Sequence, residues 1–106
     1  PVLARFRPQV CIISAGQDML ADDPLSSMRM LPEDVGVLTH ILAEILEMPP
    51  ALVLEGGYGP SHGKAIRAIF RAIQMKEAPQ AKEYPGRFQD STSQLVNRLE
   101  EIHYLK

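Results

Sequence analysis

A chain of 106 residues, 45% apolar and 23% charged, can make one small domain with a modest core. Its net charge of −2, with 11 Lys and Arg scattered along the sequence, gives no electrostatic basis for direct nucleic-acid binding. No apolar run reaches the roughly 18 residues of a membrane span, and the N-terminus has no signal-peptide pattern, so no membrane association is expected. The single cysteine, Cys11, lies in the apolar run Val10-Cys11-Ile12-Ile13, which suggests a buried, reduced thiol and an intracellular setting.

In chain order, Pro1-Val2-Leu3-Ala4-Arg5-Phe6 reads as a helix or helix end without an initiator Met, as a fragment would begin. Residues 9–14 are rich in β-branched side chains between Pro8 and Ala15-Gly16, and read as a buried strand. Residues 15–31 have no clear period and carry Gly16, Asp22-Asp23-Pro24 and Ser26-Ser27; irregular segments this long are more often functional than accidental. Pro32 suits the first turn of a helix, with Glu33 and Asp34 favourable at its positive end. Val35, Leu38, Ile41, Leu42, Ile45 and Leu46 then recur at helical spacing, so a helix is expected over 32–47, stopped by Pro49-Pro50.

Residues 51–54 read as a second buried strand, followed at once by Glu55-Gly56-Gly57-Tyr58-Gly59. Ser61 can cap the next helix, whose inner face is expected to carry Ala65, Ile66, Ile69, Phe70 and Ile73. Residues 77–90 read as a polar linker, and 91–105 as a final packing helix with Leu95, Val96, Leu99, Ile102 and Leu105. Strand–helix–strand–helix is the pattern of an α/β fold with a parallel sheet. Both strands are apolar on both faces and ask for neighbours that this sequence does not supply, so residues 1–106 are expected to form a single partial domain.

Ligands of parallel α/β sheets bind outside the carboxyl ends of the strands. The segments leaving those ends here contain Ser14-Ala15-Gly16-Gln17-Asp18 and Glu55-Gly56-Gly57-Tyr58. Adjacent strands would bring a carboxylate and a phenol to one crevice, with Gly56 and Gly57 allowing close approach of a substrate. On residue type alone, Asp18 could equally be a turn cap, Tyr58 a loop aromatic packed over the sheet edge, and Asp23-Pro24 a structural turn.

The ordered series Ser14-Ala15-Gly16-x-Asp18, Asp23-Pro24-Leu25, a Pro32-Glu33 helix start and Leu54-Glu55-Gly56-Gly57-Tyr58 closely resembles the class II-like and bacterial members of the histone deacetylase / acetylpolyamine amidohydrolase superfamily. The resemblance covers roughly residues 5–75. It implies the C-terminal portion of a three-layer, arginase-like deacetylase fold and, for the whole protein, a zinc-dependent deacetylase acting on acetyl-lysine or a small acetylated amine. It also implies a residue-by-residue assignment. Asp18 matches a zinc-ligand aspartate and Tyr58 the tyrosine that polarises the acetyl carbonyl and stabilises the oxyanion. Leu25 matches an apolar channel residue, Gly56 and Gly57 match the pocket wall beside the Tyr, and Asp23 is expected to support the long loop.

The sequence departs from the family pattern at Gln17, where an aromatic is usual, at Ser26-Ser27 for a Gly pair, at Leu31 for a capping Thr, and at Gly59 for an Asn. The family's His pair and its Asp-x-His ligand pair belong to an N-terminal part missing from these residues. His40 and His103 read as partly exposed helix residues, and His62 as a residue near the Tyr58 loop. The chain alone is therefore expected to be inactive. The alternative role is a non-catalytic, truncated deacetylase-like interaction subunit. A phosphate-binding loop at 56–64 fails on its spacing, because Tyr58 stands where the first Gly is needed and Ala65 where a Ser or Thr would bind magnesium.

Overall fold

The computed structural model describes residues 2–74 and 90–102. Its elements are α1 (Val2–Phe6), β1 (Ile12–Ala15), α2 (Pro32–Leu46), β2 (Ala51–Leu54), α3 (His62–Gln74) and α4 (Asp90–Ile102). Nearly all of the linker expected over 77–90 lies outside the described residues, as do Leu105 and His103.

β1 and β2 pair in parallel, with Ile12 opposite Ala51 and Ala15 opposite Leu54. β1 starts later than residues 9–14 suggested, and Val10 is exposed. The cause lies across the sheet. The Ala51 amide donates to the Cys11 carbonyl at 2.9 Å, while Pro49 and Pro50 have no N–H with which to extend the ladder upstream. Cys11 is a free, half-buried thiol, less enclosed than its apolar run implied. Ile12 and Val53 are exposed, whereas Ile13 and Leu52 on the alternate positions are half-buried.

Pro32 opens α2, and the Asp34 carboxylate accepts the Leu31 amide at 2.7 Å. Leu31 has no side-chain acceptor to return that bond, so the helix start has half of a capping box. The chain leaves α2 through Glu47 in the left-handed conformation, φ 55°. Of the expected apolar face, Val35 and Leu46 are buried, but Leu38, Ile41 and Ile45 are exposed. His40, expected to be partly exposed, is buried, with Nε2 3.6 Å from the Glu44 carboxylate.

α2 packs along α3 at a small-residue crossing, where a Cβ built on Gly36 would lie 3.2 Å from the Ala68 Cβ. Ala65, Ile69 and Ala72 face inward from α3, whereas Phe70 is exposed. The core is Leu20, Val35, Ala65 and Ile69, with Met19, Leu52 and Ile73 packed against it.

Leu20 comes from the aperiodic segment, which is a compact loop. Leu20 and Met30 form a parallel bridge, with Ala21 N donating to Met30 O at 2.9 Å and Met30 N to Met19 O at 3.1 Å. α4 packs on none of the other described elements, and Leu95, Val96, Leu99 and Ile102 are exposed; the expected packing role is not realised among the described residues. No helix among the described residues is long and apolar enough to cross a membrane.

Because Leu20 is fully enclosed, Leu20→Ala should lower stability by about 2–4 kcal/mol through lost burial and an unfilled cavity. Urea unfolding of the variant against the parent measures this. A loss below about 1 kcal/mol would mean that the loop does not anchor the core.

Candidate functional site

Parallel pairing makes both strands end at the same edge, so the segments after Ala15 and after Leu54 emerge side by side. The first contact between them continues the ladder, with Gln17 N donating to Gly56 O at 2.7 Å. Gln17 is buried at 1% exposure; its Nε2 donates to the Ala15 carbonyl at 3.3 Å, and its Oε1 has no partner among the described residues. The residue that stands where the resembled family has an aromatic therefore lies inside, under the glycine loop. Gly57 sits directly against it at φ +125°, and a Cβ there would come within 2.5 Å of the Gln17 Cβ. Only glycine satisfies both the backbone angle and the contact.

The long loop reaches the same place through its paired acids. Asp23 is buried, and its Oδ1 accepts the Leu25 amide while Oδ2 accepts the Tyr58 amide, each at 2.8 Å. Pro24 has no N–H, so Leu25 carries the first amide downstream that can turn back to this carboxylate. The Tyr58 amide, then that of Leu25, with smaller contributions from Ser26 and Gly59, holds the Asp23 carboxyl below its ordinary value of 3.8 against the opposing effect of burial. Asp22 takes the next stretch: its Oδ2 accepts the Ser61 amide at 2.9 Å, a favourable position for negative charge at the start of α3. Gly59 is pressed against Asp22, and a Cβ there would lie 2.6 Å from Oδ1.

Tyr58 is thereby fixed by its backbone while its side chain stands 69% exposed at the strand ends. His62, in the first turn of α3, approaches the same loop, with Nδ1 2.8 Å from the Gly57 carbonyl oxygen.

The structure thus brings Tyr58 together with Gly57 and Asp23, and Leu25 adjoins them through its amide, its side chain exposed. Gly56 contributes its carbonyl to Gln17, although a Cβ on it would meet nothing within 4 Å. Asp18 is exposed and lies over its own turn, its Oδ1 3.1 Å from where a Gly16 Cβ would stand. Asp23 holds the long loop and His62 lies at the Tyr58 loop, as expected, but the particular amides that Asp22 and Asp23 accept are not singled out by the sequence. The general signal is present: the amides of a glycine loop need acceptors, and two adjacent acids at a proline in a long loop can supply them. Among the described residues no group of three or more His, Cys, Asp or Glu side chains could hold a metal ion.

Two tests follow. Gly57→Ala should destabilise the protein by roughly 2–4 kcal/mol, from backbone strain plus the clash with Gln17, as read by thermal or urea unfolding. Because the Asp23 carboxyl is lowered on folding, its contribution to stability is complete above its unfolded value and is lost as pH falls through the lower folded value. Asp23→Asn should therefore be less stable at pH 6, yet lose less stability than the parent between about pH 4 and pH 2. Equal acid slopes for the two proteins would show that the carboxylate is not held as described.

An uncharacterized protein of Synechocystis sp. is 45% identical over 67 residues, covering 62% of this chain and 22% of that protein. The acetylpolyamine amidohydrolase of Burkholderia pseudomallei is 38% identical over 71 residues, covering 67% of this chain and 20% of the enzyme. The crystal structure of the HDA15 HD domain superposes with a TM-score of 0.74 at 27% identity, over 96% of this chain and 28% of that one. The chain thus spans between 20% and 28% of the length of these proteins, and its parallel α/β arrangement is part of the fold seen in that domain. Residues 1–73, which include both strand ends, the acid pair and Tyr58, match the histone deacetylase domain, and the chain belongs to that family.

Proposed function

We propose that the natural protein containing this chain is a zinc-dependent amidohydrolase that removes the acetyl group from an acetyl-lysine or a small acetylated amine. The observation that carries the proposal is Tyr58, an exposed phenol on a backbone held by Asp23 at the carboxyl ends of two parallel strands. Family membership supports the reaction class, and the acetylpolyamine amidohydrolase among the relatives keeps the small-amine substrate beside the protein one.

Amide hydrolysis needs an activated water, a polarised carbonyl and a proton for the leaving amine. Zinc with an open position, when bound, supplies the first and part of the second. The Tyr58 hydroxyl donates to the acyl oxygen as negative charge gathers on it. A fixed backbone lets that donor act with little reorganisation, and one oxyanion donor of this kind is worth about 2.7–4 kcal/mol. Exposed Leu25 beside the site is suited to the aliphatic stem of an acyl-lysine or polyamine. Gly56 and Gly57 are the proposed pocket wall beside the tyrosine; a Cβ on Gly56 would meet nothing within 4 Å, which leaves space for a substrate there, while Gly57 packs on Gln17.

For the carboxylate that this chain gives to the metal, family resemblance points to Asp18, which stands exposed just beyond the end of β1. Asp23 is engaged by the main-chain amides of Leu25 and Tyr58 and supports the loop on which the tyrosine stands. The remaining ligands and the general base would come from residues outside this chain.

The test is acetate release from an acetyl-lysine peptide and from an acetylpolyamine by the natural protein, with bound zinc measured in the same samples. Tyr58→Phe should keep its zinc and lose roughly 10²–10³-fold in kcat. Asp18→Asn should stay folded and lose zinc and turnover; a folded Asp18→Asn variant that keeps its zinc would remove Asp18 from the ligand set. A folded, fully zinc-loaded protein without turnover on either substrate would leave the non-catalytic interaction subunit as the better account.

A further inference from the structure

We infer that His62 is a positioning residue for Tyr58, acting through the peptide unit that joins Gly57 to Tyr58. The Gly57 carbonyl and the Tyr58 amide belong to one rigid planar group. Asp23 Oδ2 accepts from its N–H end at 2.8 Å, and His62 Nδ1 meets its oxygen end at 2.8 Å. A carbonyl oxygen only accepts, so Nδ1 carries the proton and donates. Both poles of the plane immediately before the Tyr58 Cα are therefore held by side chains, one from the long loop and one from α3.

The plane needs holding because of what precedes it. Gly56 and Gly57 lack Cβ atoms, and Gly57 stands at φ +125°, so the chain entering Tyr58 has little intrinsic restraint. Backbone bonds secure the loop on either side, Gln17 N to Gly56 O at 2.7 Å and His62 N to Gly59 O at 3.1 Å. At the Gly57 carbonyl the donor is the His62 ring. Donation there also polarises the Tyr58 N–H toward Asp23, so the two bonds reinforce one another. The ring keeps its Nδ1 proton in the neutral tautomer and in the imidazolium alike, so the clamp does not depend on the charge of His62.

The inference rests on the reading of Tyr58 as the oxyanion donor, and ring geometry supplies its test. The Asn amide nitrogen stands where Nδ1 does, whereas the Gln amide nitrogen stands where Nε2 does. His62→Ala, His62→Asn and His62→Gln would be compared in the natural protein by steady-state acetate release and by hydrogen exchange of the Tyr58 amide. His62→Ala and His62→Gln should lower kcat about 5–20-fold with KM within about twofold, and speed exchange at Tyr58. His62→Asn should recover kcat to within about threefold and restore protection. Rescue by Gln instead of Asn would move the role to Nε2 and overturn the inference, as would unchanged kcat and exchange in the Ala variant. If the parent protein releases no acetate, the functional reading fails by itself; exchange at Tyr58 then decides the His62 clamp, and unchanged protection in His62→Ala rejects it.

Discussion

The Asp23 carboxylate, buried between two loops, accepts the amides of Leu25 and Tyr58, and the working end of the chain depends on it. A buried charge is tolerable only when its acceptor capacity is met. Here the donors are main-chain amides from both segments, so neither loop can move away without exposing the other to that cost. The Leu20–Met30 bridge closes the long loop, which sends Leu20 into the core and Asp23 to the strand ends. Core packing and site geometry are thus two consequences of one loop's conformation.

Much of the architecture was legible because it follows from local pattern. β2 falls on residues 51–54 as expected, between a proline pair and a glycine pair that fix both of its ends. α2 lies within a residue of its expected bounds and α3 starts directly after Ser61 as expected, because Pro32, Pro49-Pro50 and the regular apolar spacing are local signals. β1 was misplaced because strand limits belong to the pair and not to one segment: its upstream residues face prolines with no amide to give. Periodicity also cannot say which apolar residues find a cover. Leu38, Ile41, Ile45 and Phe70 fit the helical stripes yet remain exposed, because no described element reaches them.

The site was legible in its parts and not in its connections. Tyr58 and Gly57 stand out as residue types in a Gly-Gly-Tyr loop after a strand. Asp23 does not, since Asp before Pro is an ordinary turn signal, and its partner amide lies 35 residues away. Asp18 follows β1 closely in sequence, and the loop after it carries Asp23 back to the tyrosine. Nothing local in the sequence marks Gln17 as buried; its backbone bond to Gly56 and the missing Cβ of Gly57 draw it inside.

The two acids at the strand ends carry different loads. Asp23 is an anchor: the amides of Leu25 and Tyr58 keep its carboxylate ionised, and it fixes the backbone on which the tyrosine stands. Asp18 is exposed beyond the end of β1, and on the proposed assignment it is the group that would bind the cation. The bond from Gln17 N to Gly56 O ties the residue before Asp18 to the glycine loop, and Asp23 ties the segment after it to Tyr58. The separation of the proposed ligand and the proposed oxyanion donor is thus set by short bonds within this chain.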